Sequence, residues 1–190
     1  MTGSISFSPL SIDFSKIPSW LLRELRSDHA GECGAIYIYR GILSGSSCED
    51  VRSLANRHLE VEREHFNSLT QILPDREQSH LLPLWRVAGF LTGYLPALFG
   101  PDAVYFTVSS VESFVERHYR QQINRLSEFL EMSPTELHIK GLLEDCLTDE
   151  IEHGTDALNH LRCSPGSLLR FWGWIVGKGS GIAVACARLI

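Results

Sequence analysis

Two tetrapeptides, Glu62-Arg63-Glu64-His65 and Glu150-Ile151-Glu152-His153, put a carboxylate and an imidazole three residues apart. On a helix that spacing places both groups on one face. Two further glutamates, Glu32 and Glu112, stand 30 and 38 residues ahead of Glu62 and Glu150. The midpoint of the first pair falls at residue 47, inside Ser44-Gly45-Ser46-Ser47; that of the second falls at Glu131, beside Ser133-Pro134. Both midpoints carry loop signals. If each hairpin folds there, Glu32 faces Glu62 and Glu112 faces Glu150, on arms of roughly 22 and 28 Å. Fifteen glutamates and eight histidines in 190 residues would give about 0.6 Glu-x-x-His spacings by chance. The chain has three, and the third, Glu77 to His80, sits between Pro74 and Pro83 in a poor helical context.

The chemistry of this set is metal binding. A buried, unpaired carboxylate costs several kcal/mol or keeps its proton. Four at one level would also repel each other. A pair of divalent cations removes both problems by making the carboxylates and imidazoles ligands. Oxygen with some nitrogen, and no cysteine in the pattern, favours iron or manganese over a thiolate zinc site. The competing reading is a set of solvated helix faces or satisfied buried pairs.

The elements that must hold these residues are helices. Helical spacing dominates, and few runs alternate with period two. Helices are expected over Ile17–Leu43, Cys48–Leu73, an apolar stretch from Leu84 to about Phe99, Pro101–Leu130, and from Ser133-Pro134 to Leu161. Ser133, Pro134 and Glu136 have the order of a capping box. Ser164-Pro165 is expected to open the last helix in the same way. Each of the four seams is an apolar stripe interrupted near its middle by a glutamate: Leu25, His29, Glu32, Ile36, Tyr39; Leu54, His58, Glu62, His65, Leu69; Val108, Glu112, Val115, Tyr119; and Leu143, Cys146, Glu150, His153, Ala157. Stripes of that kind pack a bundle.

Composition narrows the field. The 190 residues are 44% hydrophobic and 21% charged, with a formal net charge of −6. That is a globular balance with no basic footprint, so no nucleic-acid partner is expected. Five scattered cysteines without a Cys-x-x-Cys pair fit a reducing compartment. Met1 to Asp13 shows no secretory pattern, and residues 1–15 are expected to be a flexible N-terminal segment of a single domain, 1–190. Leu84–Gly100 and Leu168–Ile190 are apolar but interrupted by Arg86 and Pro96, and by Arg170, Lys178 and Arg188. They fall short of a clean span. Two readings fit them: buried core helices, or helices lying on a membrane surface. No Gly-x-Gly-x-x-Gly fingerprint for a nicotinamide or flavin is present.

At Asp28-His29-Ala30-Gly31-Glu32, Glu62-Arg63-Glu64-His65-Phe66, Trp85 to Phe90, Val111-Glu112 through His118-Tyr119, and Asp149 to His153, the sequence resembles the demethoxyubiquinone hydroxylase family of ubiquinone biosynthesis. The likeness runs from about Asp28 to the C-terminus. It implies an all-α, ferritin-like four-helix bundle with additional apolar, membrane-associating helices. It also implies two iron ions per chain: Glu32, Glu62 and His65 on one, Glu112, Glu150 and His153 on the other, with Glu62 and Glu150 bridging. The implied activity is that of an O2-dependent monooxygenase hydroxylating the ring of a polyprenylated demethoxyquinol. Its electrons come from an external reductant, NADH directly or through a partner. A peripheral position follows, on the cytoplasmic face of a bacterial membrane or the matrix face of the inner mitochondrial membrane. A homo-oligomer or a biosynthetic complex is compatible with the likeness. His118 and Tyr119 match the family too. His118 stands about 120° from Glu112 around a regular helix, which makes it either a neighbour that orients a ligand or relays a proton, or an ordinary polar histidine. Cys33 and Tyr37 depart from the family pattern. The alternatives are another ferritin-like di-iron oxidase with a different substrate, and a non-enzymatic iron-binding protein.

Overall fold

In the computed structural model, residues 17–190 are described. The expected flexible segment, 1–15, lies outside them. Every regular element among the described residues is helical: α1 Ser19–Gly45, α2 Glu49–Ile72, α3 Leu82–Ala97, α4 Pro101–Ser127, α5 Pro134–Asn159 and α6 Ser167–Ala187, with one 3-10 turn at Asp75–Glu77. The bounds fall within about three residues of those read from the sequence, the ordinary scatter of helix ends. The Ser133 box is formed: its hydroxyl accepts from the Glu136 backbone N–H, and the Glu136 carboxylate accepts from the Ser133 N–H at 2.8 Å.

Ser164-Pro165 does not repeat this device. The last helix begins at Ser167, with Gly166 at the cap position and no side-chain cap. Two contacts set the start. The Arg170 backbone N–H bonds to the Gly166 carbonyl at 3.0 Å, and the Arg170 side chain holds the Pro165 carbonyl at 2.8 Å. Glycine inside the first turn would also have cost helical stability.

Helices α1, α2, α4 and α5 pack their apolar stripes together. On one side of the interrupted layer, Ile36, Tyr39, Ile42, Leu54, Val104 and Val108 form one core. On the other, Leu21, Leu25, Leu69, Leu126, Ile139 and Leu143 form a second. Helices α3 and α6 lie outside this arrangement. Helix α3 presses its glycines on α1: a Cβ at Gly93 would meet the Ile38 carbonyl oxygen at 1.9 Å, and one at Gly89 the Gly34 oxygen at 2.3 Å. Only glycine allows that approach. Helix α6 is pinned at both ends, by Trp172 Nε1 donating to Thr107 Oγ1 at 2.9 Å and by Arg188 paired with Glu24 at 2.7 Å.

The outer faces of α3 and α6 stay bare. Leu84, Val87, Leu91, Leu98 and Phe99 on or just after α3, and Leu168, Phe171, Trp174 and Ile182 on α6, are all exposed. Among the described residues no helix is long and apolar enough to cross a membrane. Neither segment is a buried core helix. Only Gly89, Gly93, Pro96 and Ala97 are buried on α3, and only Val176 and Ala187 on α6.

Candidate metal centre

The interrupted layer brings all six sequence-derived side chains together. Glu32 comes from α1, Glu62 and His65 from α2, Glu112 from α4, Glu150 and His153 from α5, and all six are buried. They form two overlapping groups, Glu32–Glu62–His65–Glu150 and Glu62–Glu112–Glu150–His153. Within each group, ligand atoms lie within 4.8 Å of one another. Glu62 and Glu150 belong to both. His65 Nδ1 is 3.4 Å from Glu150 Oε1 and 3.7 Å from Glu32 Oε2. His153 Nδ1 is 3.2 Å from Glu62 Oε1 and 3.9 Å from Glu150 Oε2.

Several of these atoms have nothing to bond. Both Glu62 oxygens, His65 Nδ1 and His153 Nδ1 are fully buried without a hydrogen-bond partner. Native interiors rarely leave such groups orphaned. Lone pairs converging on one point, with no donor between them, are what cations would satisfy.

The surroundings hold these groups in place. His65 Nε2 lies 3.0 Å from Asp149 Oδ2, which fixes that nitrogen as the donor and leaves Nδ1 a lone pair facing the centre. The Tyr39 hydroxyl donates to Glu112 Oε1 at 2.8 Å. The Tyr119 hydroxyl donates to Glu32 Oε1. Tyr119 is thus in direct contact with the cluster. His118 is one step removed: its Nε2 is 3.0 Å from Asp28 Oδ1 and 3.2 Å from Ser27 Oγ, and Gln122 donates to the same Asp28 oxygen at 2.8 Å. Its partners are therefore not among the six. His29 meets Thr70 Oγ1 at 3.1 Å and stacks on Phe66. His58 stacks on His153. Cys33 is buried on α1, and Arg40 lies over the Tyr37 ring at 4.7 Å; neither cysteine nor tyrosine belongs to either group.

Sequence reasoning missed the partners Tyr39, Asp149 and Asp28. Tyr39 stood on the α1 seam seven residues after Glu32, and Asp149 next to Glu150. What each would touch depended on a neighbouring helix.

The electrostatics are those of a charge cluster lacking its counter-charge. Burial, and then the Glu150 carboxylate, push Glu62 and Glu112 well above the ordinary carboxylate range. Burial raises Glu150 too. Burial would also raise Glu32, but the His65 ring beside it, charged when no metal takes its Nδ1 lone pair, brings it net downward. Burial, helped by His58, lowers His153 to about 3, and burial lowers His29 to about 4. The folded, metal-free chain therefore holds carboxyl protons that the unfolded chain releases, and stability falls as pH rises through that interval. The lowered histidines act in the opposite sense only below their ordinary value of 6.5. Across the window from about pH 6.5 upward the raised carboxyls act together with His65, which Cys146, Glu150 and Glu32 hold upward against burial, and both lower stability as pH rises. Thermal melts should show metal-free protein losing stability across that window and metal-loaded protein holding it. Equal slopes for the two forms would contradict the metal reading.

A cavity of about 300 Å³ opens onto the cluster between α1, α3, α4 and α6. Glu32, Glu62, Glu112 and Glu150 border its inner end, and Ala88, Thr92, Val111, Val176 and Ala183 are among its walls. Mainly apolar walls, Trp85, Phe114 and Trp172 among them, over a carboxylate floor suit an apolar ligand.

Fold and site together define an all-α protein whose four central helices carry a buried carboxylate–histidine cluster fit for two cations. Residues 19–187 match the model of the family described as "Ubiquinone biosynthesis protein COQ7", and the chain belongs to that family. It is 31% identical over 140 residues to a protein of Dictyostelium discoideum named NADPH-dependent 3-demethoxyubiquinone 3-hydroxylase, mitochondrial, across 73% of this chain and 63% of that one. To the 3-demethoxyubiquinol 3-hydroxylase of Rhodospirillum rubrum it is 33% identical over 134 residues, 69% of this chain and 60% of that one. A Caenorhabditis elegans protein with the same name as the first is 28% identical over 171 residues, 87% and 88% of the two chains. The matched stretch thus spans just under two thirds of the first two relatives.

Proposed function

We propose that this protein is a ferritin-like di-iron monooxygenase that hydroxylates the ring of a polyprenylated demethoxyquinol with O2 in ubiquinone biosynthesis, the chain acting as a single domain. The observation that carries this reading is the pair of overlapping ligand groups with orphaned, buried lone pairs, opening on an apolar cavity. Glu32, Glu62 and His65 would hold one iron and Glu112, Glu150 and His153 the other, with Glu62 and Glu150 shared. The irons would supply the redox chemistry that lets O2 attack a closed-shell ring.

The protein's own part is positioning. Asp149 keeps His65 in one tautomer, and the Tyr39 and Tyr119 hydroxyls hold Glu112 and Glu32. The cavity walls turn the ring edge toward the carboxylate floor and exclude water from it. At about 300 Å³ the cavity takes the ring and little more, since small-molecule sites start at about that size. A long tail has to continue along the apolar faces of α3 and α6. The reductant is external, and the relatives named NADPH-dependent point to NADPH as its source. Incubation with a short-tailed demethoxyquinol, reductant and 18O2 should give one new ring hydroxyl carrying one labelled atom. Unlabelled product, or none from protein with full iron, would overturn the assignment.

The bare faces of α3 and α6 support peripheral attachment to a membrane, on the matrix face of the inner mitochondrial membrane or the cytoplasmic face of a bacterial one. Each large apolar side chain entering lipid contributes about 1.5–3 kcal/mol. Replacing Val87 and Leu91 together by glutamate should weaken liposome binding at least about tenfold without changing iron content. Unchanged co-sedimentation with liposomes would exclude α3 as the docking face.

A further inference from the structure

Charge is unevenly placed along this chain of net −6. Residues 78–101, which include α3, and 157–190, which include α6, contain no aspartate or glutamate; all 23 acidic residues lie elsewhere. The same two stretches carry Arg86, Arg162, Arg170, Lys178 and Arg188. The helices with bare apolar faces are thus the part of an acidic chain that lacks negative charge. Arg188 pairs with Glu24, and Arg162 lies 3.6 Å from Asp50. Arg86, Arg170 and Lys178 are exposed and, among the described residues, pair with no carboxylate.

One of these cations has a second beside it. Arg86 of α3 and Arg40 of α1 both approach the half-buried ring of Tyr37, their Cζ atoms 5.9 and 4.7 Å from its centre. Arg86 also lies beside Cys33. Arg40 is exposed and, like Arg86, makes no ion pair among the described residues. The ring attracts each cation through its negative face, and so gathers two like charges that have no anion to offset their repulsion. Guanidinium forks match the oxygens of a phosphate.

The place selects the anion. Leu84 and Val87, close to Arg86 on α3, are 54% and 58% exposed, and Leu91 continues the same bare face. An anion held by Arg86 and Arg40 has this apolar surface next to it. A molecule with both a phosphate and acyl chains covers charge and apolar face together. A free phosphate or a nucleotide leaves the apolar side chains in water.

Resting on the membrane attachment proposed above, we infer that Arg40, Tyr37 and Arg86 form a head-group site for an acidic phospholipid, so that the chain docks on an anionic bilayer. Tyr37 is a positioning residue that keeps the two guanidiniums at the edge of the bare face. Arg170 and Lys178 add attraction along α6, each cation near such a surface strengthening binding about fivefold.

The test is co-sedimentation of the iron-loaded chain with two kinds of vesicle, phosphatidylcholine alone and about one part phosphatidylglycerol to three of phosphatidylcholine. Wild type should bind the mixed vesicles at least about tenfold more tightly, and added salt should remove the difference. Arg40→Gln with Arg86→Gln should lose most of that preference, keep two irons per chain and bind pure phosphatidylcholine as wild type does. Arg57→Gln with Arg63→Gln makes the same charge change on α2, which packs on α1, α4 and α5, and should keep the preference. Tyr37→Ala, with both arginines present, should weaken binding to mixed vesicles about threefold, and Tyr37→Phe should leave it intact. Equal binding of wild type to both vesicles overturns the site, as does a control that falls as far as the Arg40 and Arg86 variant. Wild-type binding by Tyr37→Ala overturns it too, since charge alone would then suffice. If NADPH releases wild type from the mixed vesicles, and binds it in solution but not the Arg40 and Arg86 variant, the arginines hold a dinucleotide and the lipid site is refuted. A wild type that sediments with neither vesicle refutes membrane attachment itself, which the wild-type arm shows before any variant is compared.

Discussion

Glu150→Ala should reduce bound iron from two per chain to one at most and lower hydroxylation at least about 100-fold. Even residues that only support a metal ligand cost 10–100-fold when removed, and Glu150 belongs to both ligand groups. The variant should also show an effect of opposite sign. In metal-free protein, the Glu150 charge raises both Glu62 and Glu112 more than any other cause except burial itself. Its removal relieves that repulsion, and alanine is the better helix former at its place on α5. At pH 8, metal-free Glu150→Ala should therefore melt above metal-free wild type, while iron-loaded wild type melts above both. Such crossed stabilities mark a site where function is kept at the expense of the fold. A variant that binds two irons, or that melts below wild type without metal, would show that the layer is structural.

Gly93→Leu should have the largest effect on the fold. A Cβ at Gly93 would sit 1.9 Å from the Ile38 carbonyl oxygen and 3.0 Å from the Ile42 nitrogen. Both are helix backbone and cannot turn aside, so α3 has to back away from α1. Overpacking of this kind costs about 3 kcal/mol. The six cluster residues are on α1, α2, α4 and α5, so iron should still bind below the melting point. The cavity wall would open, because Ala88, Gly89 and Thr92 enter it from α3. Turnover of a long-tailed quinol should then fall while iron content stays. Gly141→Ala is the control. Beyond its own helix turn and chain neighbours, no atom lies within 4 Å of a Cβ there, and exchanging glycine for alanine in a helix should stabilise by about 0.5–1 kcal/mol. Equal melting of Gly93→Leu and wild type in denaturant titrations would contradict the close packing of α1 and α3.

The convergence of Glu32, Glu62, His65, Glu112, Glu150 and His153 was legible because each breaks an apolar stripe at a helical spacing, and the hairpin midpoints fell on loop residues. Those are properties of one helix or one hairpin. The residues that hold the cluster were not legible as such. Asp149 matters through His65 on α2, and Tyr39 through Glu112 on α4. Both contacts depend on the register between helices that are not neighbours in sequence. The partner of His118 was hidden for the same reason: its angle to Glu112 says which way it leaves α4 but not that Asp28 waits there on α1. The apolar segments were ambiguous for another reason. Helices α3 and α6 are apolar nearly all round, so periodicity does not say which side is packed. The answer lay in Gly89 and Gly93, where the absence of a side chain marks the contact. At Ser164-Pro165 a capping pattern was present, but Gly166 and the Arg170 side chain moved the start of the helix past it.

The most direct test is to reconstitute the wild-type chain with 57Fe(II) under anaerobic conditions and measure metal content and Mössbauer spectra before and after oxidation. Two irons per chain, high-spin when reduced and magnetically coupled once oxidised, are expected from two sites that share Glu62 and Glu150. Less than one iron per chain, or irons that remain magnetically independent, would contradict a shared di-iron centre, and the hydroxylase reading would lose its foundation.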